Sequence, residues 1–219
     1  MNRKDVTSFS ALYSAYAAGT LDPAFALMLE AQSMLSPEVH RAVAAAEAVN
    51  GRLLEAEPAA PMRDGALASV LAMLDTPAPA PAASQRPQAA DPEIEALPAP
   101  LRRQVVHDME HADWKALTPG IRRLKLDPGS ALEVELYRIE PGARVPKHTH
   151  SGTEYTLVVS GGFSDETGSY GPGHLVVKGP EDTHRPVGDA GGVCYAFAIR
   201  DGGLRFTGVM GVIQRLFGA

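Results

Sequence analysis

The sequence predicts a two-part protein, a small all-α N-terminal region followed by an all-β C-terminal barrel or sandwich. Three observations predict it. Up to residue 76, apolar residues recur at helical spacing. From residue 101 onward, apolar and polar residues alternate with a period of two in short runs punctuated by glycine. Between them, residues 77–100 carry Pro77, Pro79, Pro81, Pro87, Pro92, Pro98 and Pro100 among alanine and polar residues, a composition that reads as an extended, semi-rigid spacer. The expected boundaries are therefore 1–76, 77–100 and 101–219.

In the first part, Phe9, Leu12, Tyr13 and Tyr16 fall on one helical face, and Gly19 stops that helix. Asp22-Pro23 reads as an N-cap followed by a first-turn proline, opening a helix through Phe25, Leu29 and Met34. Ser36-Pro37 repeats the signal and starts a longer helix with Val39, Val43, Ala46 and Leu53. A fourth helix follows Asp64, with Leu67, Val70, Leu71 and Leu74 on one face. Four short helices bury little surface by themselves, a first sign that this half exists to bind something.

In the second part, Leu132, Val134 and Leu136 alternate with Glu133, Glu135 and Tyr137. Further strands are expected at Glu154 to Val159, His174 to Lys178, Val193 to Ile199 and Leu204 to Met210. Turn signals separate them at Pro141-Gly142, Gly161-Gly162, Gly171-Pro172-Gly173 and Gly191-Gly192.

Composition narrows the function classes. Charged residues make up 21% and hydrophobic residues 45%, ordinary for a soluble protein. No apolar stretch approaches the roughly 20 residues of a membrane span, and no signal peptide is readable at Met1-Asn2-Arg3-Lys4-Asp5. The single cysteine, Cys194, excludes an internal disulfide framework and makes the cytoplasm the expected compartment. Net charge is −6, of which −4 lies at or before Asp75, so no nucleic-acid partner is expected. Arg102-Arg103 and Arg122-Arg123 are isolated pairs, not a groove-reading patch.

The most informative run is Gly142-x5-His148-x-His150-x3-Glu154-x6-Gly161. Histidines separated by one residue project from the same face of a strand, and a carboxylate four residues on adds a hard donor. The flanking glycines fit turns that bring antiparallel strands around the cluster. The run resembles the first motif of the cupin family of small β-barrels (jelly rolls) at every defined position. The second cupin motif is matched more loosely by Gly173, Pro180 and His184, since the usual glycine after the proline and a later asparagine are missing. The expected metal shell is His148, His150, Glu154 and His184. Such a set holds zinc, and equally iron, manganese or nickel with an open position; zinc is the expected ion. An open position would activate bound water or peroxide. His174 reads as a surface residue, and His107 and His111, near Glu110 and Trp114, as a helical face. Cys194 reads as a small buried hydrophobe, with a redox-sensing thiol as the sharper alternative.

Nearly the whole chain resembles the ChrR-like zinc-binding anti-sigma factors. Ala15-Tyr16-Ala17-Ala18-Gly19-Thr20-Leu21 is similar to that family's first helix and turn, and the run from Gly65 to Asp75 to its fourth helix. The resemblance implies a helical domain that grips an extracytoplasmic-function sigma factor and blocks its access to RNA polymerase. It also implies a cupin domain needed for the response to singlet oxygen or organic hydroperoxides. Cupin barrels often pair, which leaves a homodimer open. One departure is serious. The family's helical domain holds zinc through His-x3-Cys-x2-Cys and a further N-terminal histidine. This chain has Gln32-x3-Ser36-x2-Val39 in register and no histidine before His40, so no zinc is expected there. The competing reading is a metal-dependent cupin dioxygenase acting on a small molecule such as a diketone. Its weakness is the helical half, which a dioxygenase does not need.

Overall fold

The structure is a computed structural model that describes residues 3–74, 91–202 and 204–206. Most of the expected spacer, and the expected strand beyond Phe206, lie outside the described residues. The four expected helices are present as α1 (Arg3–Ala17), α2 (Pro23–Leu35), α3 (Pro37–Ala56) and α4 (Ala66–Leu74). The capping chemistry is as read from the sequence: Asp22 accepts from the Ala24 N–H, and Ser36 from the Val39 N–H. Gly19 ends α1 with φ 68°. Among the described residues, no helix is long and apolar enough to cross a membrane.

Residues 91–100 differ from the extended spacer expected of them. They form α5 (Pro92–Glu95) and the start of α6 (Ala99–Asp108). Asp91 caps α5 by accepting from the Glu93 N–H, and Pro92 and Pro100 sit in first turns and Pro98 at the N-cap of α6, where a missing N–H costs nothing. Ile94, Leu97, Leu101 and Val105 form one buried stripe, and burial of that stripe overrides the proline-rich composition. The signal was available, because Asp91-Pro92 repeats the cap-plus-proline pattern of Asp22-Pro23. Glu93 then ties α5 to the β region. It accepts from Arg138 through Nε at 2.7 Å and Nη2 at 3.1 Å, and from the Tyr195 hydroxyl at 2.7 Å.

The β region contains β1 (Lys115–Thr118), β2 (Ile121–Leu126), β3 (Glu133–Ile139), β4 (His148–His150), β5 (Glu154–Ser160) and β6 (Phe163–Asp165). It continues with β7 (Gly168–Tyr170), β8 (Leu175–Lys178), β9 (Val187–Gly188), β10 (Cys194–Arg200) and β11 (Leu204–Phe206). A six-stranded antiparallel sheet runs β1-β2-β3-β10-β5-β8, beside a three-stranded sheet β7-β6-β9 and a pair β11-β4. β10 is central, and every one of its residues is buried. Gly161 shows why the motif closes on glycine: its φ is 62°, and a Cβ there would fall 2.3 Å from the Val193 carbonyl oxygen.

The helical and β regions share a core through α2. Ala24, Leu27, Met28 and Ala31 pack in one cluster with Leu101, Leu157, Phe197 and Ile199 of α6 and the sheet. The other face of α2 presents Leu29 to Val39 and Val43 of α3. Phe25 meets Tyr155 edge to face at 4.9 Å between ring centroids. Polar contacts fix the same seam: Ser130 donates to Asp22 at 2.9 Å, and Gln32 donates to the Gly173 carbonyl at 3.1 Å.

Candidate metal centre

His148 and His150 leave β4 on the same side, as the period of two requires, and both are buried. His184 lies opposite His148 in an antiparallel bridge, where the two residues exchange backbone hydrogen bonds of 3.1 and 3.0 Å. This pairing brings the imidazoles together. The His184 Nε2 stands 3.0 Å from His148 Nε2 and 3.1 Å from His150 Nε2. His148 Nδ1 faces the Pro146 carbonyl at 2.9 Å and His184 Nδ1 faces Asp165 Oδ2 at 3.1 Å. Both of those oxygens accept, which assigns a proton to each Nδ1 and leaves each Nε2 facing the cluster. Nitrogen lone pairs converging at this distance suit one ion bonded at about 2.0–2.1 Å. The Nδ1 contacts are the kind of outer-shell partner that fixes a ligating histidine.

The protonation states agree with this geometry. Burial pushes His148 down to about 4 and also lowers His150, so both rings are neutral near pH 7, the form that binds metal. Asp165 is held well below the usual carboxylate range: burial opposes this, but hydrogen bonds from Thr167, His184 and Lys178 outweigh it. His150 Nδ1 is a buried polar atom without a hydrogen-bond partner among the described residues. Its nearest carboxylate oxygen is Glu154 Oε2, at 4.0 Å.

Glu154 is the expected shell member that stands apart. The donor atoms of His148, His150 and His184 lie within 4.8 Å of one another, and the Glu154 carboxylate is not among them. One of its oxygens accepts from Thr156 at 3.1 Å, and the other stands 3.6 Å from Arg200 Nη1. It nevertheless lines the same small cavity, about 50 Å³, as His148, His184 and Lys178. The rest of its wall is mostly apolar, built from residues such as Leu117, Ile139, Val145 and Phe163.

The residues that sequence reading missed are Asp165, Lys178 and Arg200. Lys178 and Arg200 each close an apolar strand with a charge, Leu-Val-Val-Lys and Phe-Ala-Ile-Arg, and that pattern was a usable signal. Asp165 had none. The remaining residues stand as read. His174 is exposed, and its Nδ1 accepts from the Gly171 N–H. His107 and His111 are exposed and have ring centroids 6.2 Å apart. Cys194 is fully buried, and burial pushes its thiol up to about 12.

Comparison with known proteins identifies the family. Residues 102–200 match the ChrR Cupin-like domain family. Anti-sigma-E factor ChrR of Cereibacter sphaeroides is 39% identical over 197 residues, covering 90% of each chain. The chain belongs to the ChrR family of anti-sigma factors. A crystal structure of Rhodobacter sphaeroides SigE in complex with the anti-sigma ChrR is similar to it, with TM-score 0.68, 35% identity, and coverage of 88% of this chain and 96% of that one.

The three positions where the sequence is expected to lack zinc ligands carry structural contacts. Gln32 bonds the β region, Ser36 caps α3, and Val39 is buried against Leu29 and Val43. Among the described residues, His148, His150 and His184 form the group of ligand side chains able to hold a metal.

Proposed function

We propose that this protein is an anti-sigma factor that binds an extracytoplasmic-function sigma factor through its helical half and carries a metal-bearing sensor in its cupin half. The observation that carries the reading is α4. It is apolar almost throughout, yet none of its residues is buried: Leu67, Val70, Leu71, Met73 and Leu74 are 51–76% exposed. With Val49, Leu53 and Leu54 of α3 also exposed, this apolar surface suits a protein partner. The relative solved with SigE supports a sigma factor as that partner. The role is regulatory rather than catalytic, and the compartment is the cytoplasm.

In this reading one divalent ion, zinc by preference, is held by His148, His150 and His184, with Glu154 able to close the set. When bound, the ion supplies Lewis acidity beside the cavity. The Nδ1 contacts of His148 and His184 orient the ligands. Singlet oxygen or organic hydroperoxides are the proposed signals. The working division is 1–76 for sigma binding and 101–219 for sensing, with the start of the latter extended by α5 to residue 91.

The test is co-expression with candidate sigma factors. The wild type should retain one of them, and Leu71→Glu with Leu67→Glu should lose it while circular dichroism is unchanged, since neither residue supports the fold. Retention of no sigma factor by the wild type, or unchanged retention by the variant, sinks the proposal. Metal analysis should give one ion per chain.

A further inference from the structure

The register of the central sheet sets four charged residues in one row. Lys178 of β8 lies opposite Glu154 of β5, Glu154 opposite Arg200 of β10, and Arg200 opposite Glu133 of β3. The signs alternate across the strands, so each direct neighbour attracts the next. Arg200 is only 3% exposed and is the sole charge on β10. Its guanidinium donates to Glu135 Oε2 at 2.6 Å and to the Tyr137 hydroxyl at 2.7 Å, and it reaches Glu133 at 3.3 Å. Its Nη1 stands 3.6 Å from Glu154 Oε2.

Lys178, the other strand neighbour of Glu154, is engaged elsewhere. Its ammonium contacts Asp165 at 3.2 Å and donates to Thr167 at 2.7 Å. Among the described residues, Arg200 is the guanidinium that faces Glu154, whose side chain also lines the cavity that His148 and His184 share. A carboxylate oxygen that faces a guanidinium in a buried site has less charge to give a metal, and moving toward the metal would weaken its pairing with Arg200.

We infer that Arg200 is a positioning residue that holds Glu154 back from the three histidines, making it a displaceable fourth ligand. This rests on the metal reading above. Arg200 keeps Glu135, Glu133 and Tyr137 when Glu154 leaves it, so the exchange strips no buried charge of its last partner.

The test is a thermodynamic cycle on the full chain, reading zinc affinity by competition with a chromophoric chelator. The proteins are the wild type, Glu154→Gln, Arg200→Met with Glu135→Gln, and all three substitutions together. The paired change removes the guanidinium with a carboxylate it neutralises, so the buried charge stays balanced. Glu154→Gln should weaken zinc binding modestly in the wild type. In the paired background it should do so by on the order of tenfold more, the worth of one charged contact released to the metal. A purely structural role for Arg200 would shift affinity without changing the effect of Glu154, so equal losses in the two backgrounds overturn the inference. If the paired variant does not fold, Arg200→Lys, which keeps the charge and loses the planar fork, should show the same coupling at smaller size, and its absence is equally fatal. Failure of the metal reading is distinct: the wild type would bind no zinc, or His184→Ala would bind it unchanged.

Discussion

Replacing Val39 with alanine tests whether apolar packing holds the α2–α3 contact. Val39 is 2% exposed and sits among Leu29, Val43, Tyr13, Tyr16 and Leu21. Losing two methyl groups at about 0.8 kcal/mol each removes roughly 1.6 kcal/mol, and incomplete collapse of the space left adds to it. Alanine recovers about 0.5 kcal/mol through its better helix propensity, and less than that in a first turn. The net expectation is a loss of about 1–2 kcal/mol. Urea unfolding followed by far-ultraviolet circular dichroism reads it, in the presence and absence of a strong chelator. If the α2–α3 contact is apolar, the cost of Val39→Ala is the same in both conditions, because the substitution and the metal act at separate sites. A cost below about 0.3 kcal/mol, or one that disappears when metal is removed, refutes the reasoning.

Three other outcomes follow from particular contacts. Asp165→Asn should lower zinc affinity roughly 10–100-fold in a chelator competition, because the carboxylate facing His184 Nδ1 is lost while the three nitrogens remain. The Cys194 thiol, pushed up to about 12 by burial and then by Asp189, should resist Ellman's reagent in the native protein and react fully in denaturant. Glu93→Gln should lower the melting temperature at pH 7. Hydrogen bonds from Arg138 and then Tyr195 hold the Glu93 carboxyl below its ordinary range. Its stabilisation is therefore complete above the unfolded value of about 4.3 and is lost as pH falls through the lower folded value. The difference between variant and wild type should shrink towards zero on that acid limb.

Much of the architecture was legible because it rests on local chemistry. The caps at Asp22 and Ser36, the stop at Gly19 and the alternation of β3 each follow from a few adjacent residues. The histidines were legible for the same reason: a fixed spacing on one strand sets two of them, and the looser second motif points to the third, which the bridge to His148 brings alongside. Glu154 shows the limit of spacing. Its distance in sequence is that of a ligand, but its position depends on Arg200, 46 residues away, and only the strand register reveals that neighbour. Residues 91–100 show a second limit, since proline content outweighed a short apolar stripe whose burial needed a sheet to receive it. Gln32 shows a third. Its loss of ligand chemistry was plain, but its bond to Gly173 links segments 141 residues apart.

Because α2 belongs to both cores, the protein does not behave as beads on a string. Excising residues 1–76 would uncover Tyr155, Leu157 and Leu175 on the sheet, while isolating them would strand Leu27 and Met28 in water. Each fragment would gain a sticky face that the intact chain does not have, so a fragment's failure to bind would speak of aggregation as readily as of a lost contact. Evolution faces the same constraint. Drift on α2 must satisfy two neighbours at once, whereas α4 has no buried residue among the described residues and is freer to change.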